Sequence, residues 1–216
     1  MVGDSREDYL NCIFKLTQEG GVAKTSDIAH NMGVSPASVT EMMNNLANDN
    51  LVNYEKYRGV QLTRAGYRHA KRLRRKHRLV ERFLVDVLEQ DAEAAQEEAC
   101  RLEHVLSDSS AHKICRIIGG PEGCEGCEDA YDECANRDLT TDTVAGMSEG
   151  DSGKISHLRC DSPEMIRKLI SMGFVPGRRI TLENDMPMRG PIVLRLGESL
   201  VALGREYGDL IFIDRE

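Results

Sequence analysis

Ser35-Pro36-Ala37-Ser38-Val39-Thr40-Glu41-Met42-Met43-Asn44-Asn45-Leu46 is the stretch on which the fold of the amino-terminal half turns. Ser35 is a good helix N-cap, and Pro36 suits the first helical position, where its missing N–H costs nothing. Val39, Met42, Met43 and Leu46 then fall on one side of a helix, and packing into a core is their simplest role. Working backwards, Gly33 stops a short helix that holds Ile28, Ala29 and Met32 and that Thr25 or Ser26 caps. An earlier helix near 5–19 carries Tyr9, Leu10, Ile13, Phe14 and Leu16 at helical spacing and ends at Gly20-Gly21. Working forwards, Leu51–Tyr54 and Val60–Leu62 read as two strands around Arg58-Gly59. Helix, helix, tight turn, helix and hairpin make a winged helix-turn-helix.

Beyond the hairpin, Thr63 begins a long helix reaching about Leu88, with Leu73, His77, Val80, Leu84 and Val87 along one stripe. Further helices are expected over Asp91–Leu106 and Ser109–Ile118. Residues 119–151 are rich in Gly, Asp and Glu and look like a linker. From Gly153 the pattern changes to short strands at Lys154–Leu158, Arg179–Glu183, Ile192–Leu196, Ser199–Leu203 and Leu210–Ile213. One helix, Pro163–Met172, lies among them, capped by Ser162 or Asp161 and closed by Gly173. Such a series suggests a small antiparallel barrel. The expected fold class is therefore mainly α in the amino-terminal part, with a small all-β SH3-like barrel at the carboxyl end. The expected domains are 1–74 (DNA-binding), 75–135 (helical, metal-binding and dimerising), 136–152 (linker) and 153–216 (SH3-like).

A net charge of −8 hides a strong asymmetry. Residues 53–82 hold eleven Lys/Arg and two acids, whereas residues 86–108 hold eight acids and one Arg. Phosphate attraction depends on the local patch, so the basic block leaves nucleic acid open as a partner. No run of eighteen apolar residues exists, which excludes a membrane-spanning helix, and the first residues lack a secretory apolar core. Seven cysteines at irregular spacing do not form a secreted disulfide framework, so a reducing cytoplasm is expected. Neither a nucleophile arrangement nor a Gly-rich phosphate loop is present, and an enzyme is not expected.

Chemistry concentrates between Arg75 and Asp108. His77 and Glu81 are four residues apart, as are Cys100 and His104, with Glu103 beside the latter. On helices these spacings share a face, so two helices could aim imidazole, carboxylate and thiolate at one point. That donor mixture suits Fe(II), Mn(II), Zn(II) or Co(II), not Ca or Mg. Gln96 extends the Cys100 face by one turn. The opposing reading is a surface helix with a free cysteine and an exposed Glu-His pair.

The run Arg75-Lys76-His77-Arg78-Leu79-Val80-Glu81-Arg82, followed by Glu98-Ala99-Cys100-Arg101-Leu102-Glu103-His104-Val105-Leu106-Ser107-Asp108, resembles the metal-dependent repressors of the diphtheria toxin repressor family. The segment Tyr54-Glu55-Lys56-Tyr57-Arg58-Gly59 is similar to the manganese-responsive branch. The resemblance covers roughly residues 5–118. It implies a primary metal site of Asp8, Cys100, Glu103 and His104, and an ancillary site of His77 and Glu81. The iron branch has Met where this chain has Asp8 and His where it has Gln96; the manganese branch has Glu where it has Cys100 and Asn11. The site is thus a hybrid of hard carboxylate and soft thiolate, with Fe(II) placed first and Mn(II) second. Residues 153–216 resemble the small SH3-like domain FeoA through Leu169-Ile170-Ser171-Met172-Gly173-Phe174-Val175-Pro176-Gly177, Gly190-Pro191 and Ala202-Leu203-Gly204-Arg205. Gly173 and Gly177 suit turn positions of positive φ, and Glu183 or Glu198 could add a ligand.

The resemblance implies a homodimer on palindromic operator DNA, repressing iron or manganese uptake genes when metal binds. Ser35, Ala37, Thr40 and Glu41 take the reading positions, with Pro36 and Ser38 in the same turn. Lys24, Thr25, Ser26, Asn44, Lys56 and Arg58 would meet phosphates. Ala111, Ile114, Ile117 and Ile118 are the expected dimer stripe. One rival is a redox-, zinc- or Fe–S-sensing regulator run by Cys124, Cys127 and Cys134, with Cys115, Cys160 or His112 as a fourth ligand. Another is a ferrous-transport accessory whose SH3-like domain meets a membrane partner.

Overall fold

A computed structural model of the chain describes residues 6–17, 21–118, 142–160, 162–186 and 190–215. The chain divides into two compact units that meet in sequence between Lys76 and His77. In the first, α1 (Arg6–Thr17), α2 (Thr25–Met32) and α3 (Pro36–Asn48) precede a hairpin of β1 (Val52–Glu55) and β2 (Gly59–Leu62). Its core gathers Leu10 and Ile13 of α1, Ile28 of α2, and Val39, Met43 and Leu46 of α3 against Val52 and Val60 of the hairpin. Each helix therefore buries the stripe that its apolar period marks out. Ser35 caps α3 as expected, its hydroxyl accepting from the Ser38 amide at 3.1 Å. The start of α2 differs: Lys24 is its N-cap and uses no side chain, while Thr25 already lies in the helix. The main chain supplies the entry instead, as the Asp27 and Ile28 amides donate to the Lys24 carbonyl. Gly33, at φ 66°, closes α2 in the left-handed conformation.

The hairpin register pairs Val52 with Leu62 and Glu55 with Gly59. A bridge between Ala23 and Val60 joins it to the α1–α2 connection. Gly59 is required there: at φ 113°, a Cβ would stand 2.6 Å from the Ala23 carbonyl oxygen.

Helix α4 (Arg64–Asp86) begins beyond Thr63, whose hydroxyl accepts from the Gly66 amide. In the second unit the end of α4 packs on α5 (Ala92–Leu102) through Val80, Leu84, Ala95 and Ala99. Asp91 caps α5 by accepting from the Glu93 and Ala94 amides. Helix α5 is shorter than its sequence period suggests. The Val105 and Leu106 amides both turn back to the Leu102 carbonyl, and Ser107 then caps α6 (Asp108–Ile117). Ala111 and Ile118, expected on a dimer face, are already buried within the chain, so that stripe is corrected to its half-buried members, Ile114 and Ile117.

The rest of this unit is a five-stranded antiparallel sheet in the order β6-β5-β4-β3-β7, built from β3 (Ser152–Leu158), β4 (Arg179–Asp185), β5 (Ile192–Leu196), β6 (Ser199–Leu203) and β7 (Ile211–Arg215). Register shifts between Ile155 and His157 on β3, and between Leu182 and Asn184 on β4, bend the sheet. Helix α7 (Pro163–Ser171), capped by Ser162, contributes Leu169 to a core that includes Phe174, Ile180, Leu194 and Ile213. Gly173 and Gly177 take φ of 92° and 87°, as their turns require. Two features differ from expectation. Residues 142–151 are not free linker: Val144 and Met147 enter the sheet's core, and the Ile213 amide donates to the Asp142 carbonyl. A short helix α8 (Arg205–Gly208) also precedes β7. From α7, Arg167 donates at 2.7 Å to the Asp86 carbonyl at the end of α4 and pairs with Glu89 at 3.2 Å.

Candidate metal centre and nucleic-acid interface

The end of α4 and the end of α5 bring four polar side chains into one chain of contacts. Glu103, the residue that closes α5, is 4% exposed. Its Oε2 lies 2.8 Å from His77 Nδ1, and its Oε1 lies 3.5 Å from His104 Nε2. His77 Nε2 in turn lies 3.7 Å from Glu81 Oε2, one turn along α4. A carboxylate thus sits between two imidazoles, with a second carboxylate behind one of them. Glu103 thus links the His77–Glu81 pair to His104.

The Glu103 contacts are informative in their direction. The approach to His77 has the distance of an ion pair, yet Oε2 accepts no well-directed hydrogen bond among the described residues. A buried carboxylate oxygen without directed donors is costly. A cation held jointly with the neighbouring imidazoles removes that cost. Oxygen and nitrogen donors at this density fit a first-row divalent metal, so the residues present pass the chemical test for one.

The other candidate ligands are less concentrated. Cys100 is half-buried on α5, but its thiol does not join Glu103 and His104 in a group within 4.8 Å. Gln96 is exposed on the same helix. Asp8 is half-buried in the first turn of α1. In the sheet, Glu183 is bound to Arg195 at 2.5 Å, and this hydrogen bond holds its carboxyl below the usual range. Glu198 is exposed in the β5–β6 turn. Cys115, Cys160 and His112 are buried, and Cys160 Sγ accepts from the Ser162 amide. Cys124, Cys127 and Cys134 lie outside the described residues.

In the first unit, Lys24, Ser26, Ser35, Pro36, Ala37, Ser38, Glu41, Asn44, Lys56 and Arg58 are exposed, and Thr25 and Thr40 are half-buried. Several are already engaged. Ser35 spends its hydroxyl on capping, Thr40 donates to the Pro36 carbonyl at 2.9 Å, and Arg58 pairs with Glu55 at 3.0 Å. Ala37, Glu41 and Asn44 are left as the freer side chains on the exposed face of α3. The residue that sequence reasoning passed over on this surface is Tyr57, 94% exposed at the tip of the hairpin. Its positive φ of 68° has no direct signal in the sequence.

A helix-turn-helix with a hairpin wing, followed by helices that bury a carboxylate between imidazoles, defines a DNA-binding regulator of metal-responsive type. Comparison with known proteins narrows this. Residues 1–60 match the family described as iron dependent repressor, N-terminal DNA binding domain, and residues 63–130 match the iron dependent repressor, metal binding and dimerisation domain. Residues 143–215 match the FeoA domain. The chain is 41% identical to the HTH-type transcriptional regulator MntR of Bacillus subtilis over 118 residues, covering 55% of this chain and 82% of that protein. It is 29% identical to the iron-dependent repressor IdeR of Mycobacterium tuberculosis over 227 residues, covering 98% and 97%. Among solved structures, the manganese regulator SloR superposes with a TM-score of 0.51 at 24% identity, all of both chains being covered, which speaks to fold alone. The chain belongs to the family of iron- and manganese-dependent repressors typified by the diphtheria toxin repressor, with an FeoA domain at its carboxyl end.

Proposed function

We propose that this chain is a transcriptional repressor whose binding to operator DNA depends on a divalent cation, acting as a homodimer to control iron or manganese uptake genes. The observation that carries the reading is the buried Glu103 carboxylate between His77 and His104. From the family resemblance, Asp8, Cys100, Glu103 and His104 are proposed to share one cation, with His77 and Glu81 beside it. The cation would supply a bond between the first turn of α1 and the end of α5. The remaining work belongs to the protein. Glu103 holds its oxygens between the two imidazoles, and Glu81 steadies the far nitrogen of His77. Such a tie has the size of ordinary allosteric coupling, on the order of 1–3 kcal/mol.

Mn(II) and Fe(II) both fit an oxygen–nitrogen donor set. The Cys100 thiolate places Fe(II) first and the carboxylates keep Mn(II) second. The homodimer is supported by the match of residues 63–130 to a dimerisation domain, and by an apolar groove of about 350 Å³ in the same region, lined in part by Phe83, Leu84, Leu102, Val105, Leu106 and Ile114. A cytoplasmic setting accords with DNA as partner and with Cys12, Cys100, Cys115 and Cys160 forming no disulfide among the described residues.

The test uses a duplex selected from a random pool by the metal-loaded protein, titrated anaerobically with Mn(II), Fe(II) or Zn(II). The wild type should bind about ten- to a hundredfold more tightly with Mn(II) or Fe(II) than without, and Asp8→Ala should lose that response. Equal, metal-independent binding by both proteins would overturn the reading.

A further inference from the structure

The hairpin of the amino-terminal unit ends in a turn that is chemically odd. The Arg58 amide donates to the Glu55 carbonyl at 3.0 Å, which places Lys56 and Tyr57 at the two central positions. Tyr57 has a φ of 68° at the second of them. Positive φ at that position favours Gly or Asn, because a Cβ crowds the neighbouring carbonyl. A tyrosine there costs folding stability, and its ring recovers none of that cost through burial, being 94% exposed. The turn already has a glycine at Gly59, where close packing on Ala23 demands one, so the strain at Tyr57 is not forced by that contact. A strained residue kept on a surface points to a role outside the fold.

The surroundings indicate the partner. Lys56 Nζ stands 5.3 Å from the centre of the Tyr57 ring, and Arg58, the next residue, is exposed. An exposed aromatic ring flanked in sequence by two cations suits a polyanion with flat apolar sugar surfaces. It suits an acidic protein patch less well, because Glu55 lies in the same turn and already pairs with Arg58. The hairpin belongs to the same compact unit as α3, and β1 packs on that helix.

We propose that Tyr57 is a DNA-contacting residue: the wing presents its ring to the deoxyribose–phosphate backbone beside the groove entered by α3. The left-handed turn is the device that projects the ring outwards. The contact adds affinity and register and reads no base, because sugar and phosphate are the same at every step. This rests on the DNA-binding reading above and adds a residue to it.

The experiment compares wild type, Tyr57→Asn, Tyr57→Gly and Tyr57→Phe, all as full-length Mn(II)-loaded protein, on the selected duplex and on a scrambled duplex of equal length. Thermal unfolding is measured alongside. Asn and Gly relieve the turn, so both variants should be at least as stable as wild type. Both should nevertheless bind about tenfold more weakly, the size of one aromatic interface contact, and by the same factor on both duplexes. Tyr57→Phe should stay within about threefold of wild type, since the ring is retained. The salt dependence should not change for these neutral variants, whereas Lys56→Ala should lower its slope by about one phosphate equivalent. Wild-type affinity in a stable Tyr57→Asn or Tyr57→Gly protein would overturn the proposal, as would a loss confined to the selected duplex. Failure of the wild type itself to bind either duplex would instead strike the DNA-binding reading.

Discussion

The core of the carboxyl-terminal sheet is aliphatic and aromatic: Ile155, Leu169, Phe174, Ile180, Leu194 and Ile213 are nearly or wholly buried, and the buried His157 stacks on Phe212 at 4.4 Å. Between α4 and α5 the apolar set is small, Val80 and Leu84 against Ala95 and Ala99, and a carboxylate is buried beside it. Hydrophobic burial scales with area, so the sheet can hold itself together with no ligand. Two alanines offer little area even with Val85, Leu102 and Leu106 packed around them, and the buried Glu103 carboxylate works against burial. One region is stable by composition; the other, on the proposed function, gains stability from the cation it binds. A switch needs its bistable element in the second kind of region.

Four experiments sharpen or break that contrast. The largest effect is expected from Phe174→Ala, which should cost about 3–5 kcal/mol in denaturant unfolding of the sheet and leave Mn(II) affinity within error. Glu103→Gln should do the reverse. Calorimetry should show Mn(II) affinity lower by about a hundredfold or more, while metal-free stability holds or rises because a buried charge has gone. Ser35→Ala removes the cap of α3 and should lower stability by about 1 kcal/mol, read as a lower urea midpoint, with calorimetric metal affinity unaffected. Glu183→Gln should change Mn(II) affinity least. The Glu183 carboxyl is held low by Arg195, so its small stabilisation is present above the ordinary carboxylate range and fades as acid protonates it. The Tm difference between wild type and Glu183→Gln should therefore be small at neutral pH and vanish in strong acid.

Much of the architecture was legible where local signals agree. Ser35-Pro36 fixes the start of α3, and β5 and β6 alternate around the Gly197 turn, so Ile192–Leu196 and Ser199–Leu203 appear with the expected bounds. Legibility fails where two signals overlap. Val105 and Leu106 continue the apolar period of α5, yet their amides fold back on Leu102, and the helix ends. Glu103, the C-cap of α5, meets His77 of α4, a contact across two helices that no spacing rule predicts. Gln96 lies on the face that periodicity selects but remains exposed. Val144 and Met147 sit in a stretch whose Gly and acidic neighbours disguise two core residues. The Tyr57 turn carries a backbone angle that its side chain does not favour, and the sequence has no sign for that.

Hydrogen exchange followed by peptide mass, with and without Mn(II) on full-length protein, tests the contrast most directly. The account predicts that added Mn(II) slows exchange strongly in 77–106 and in 6–17, while peptides from 152–215 exchange as before. Equal slowing across the sheet, or no change in 77–106 at metal levels that switch on DNA binding, would contradict it.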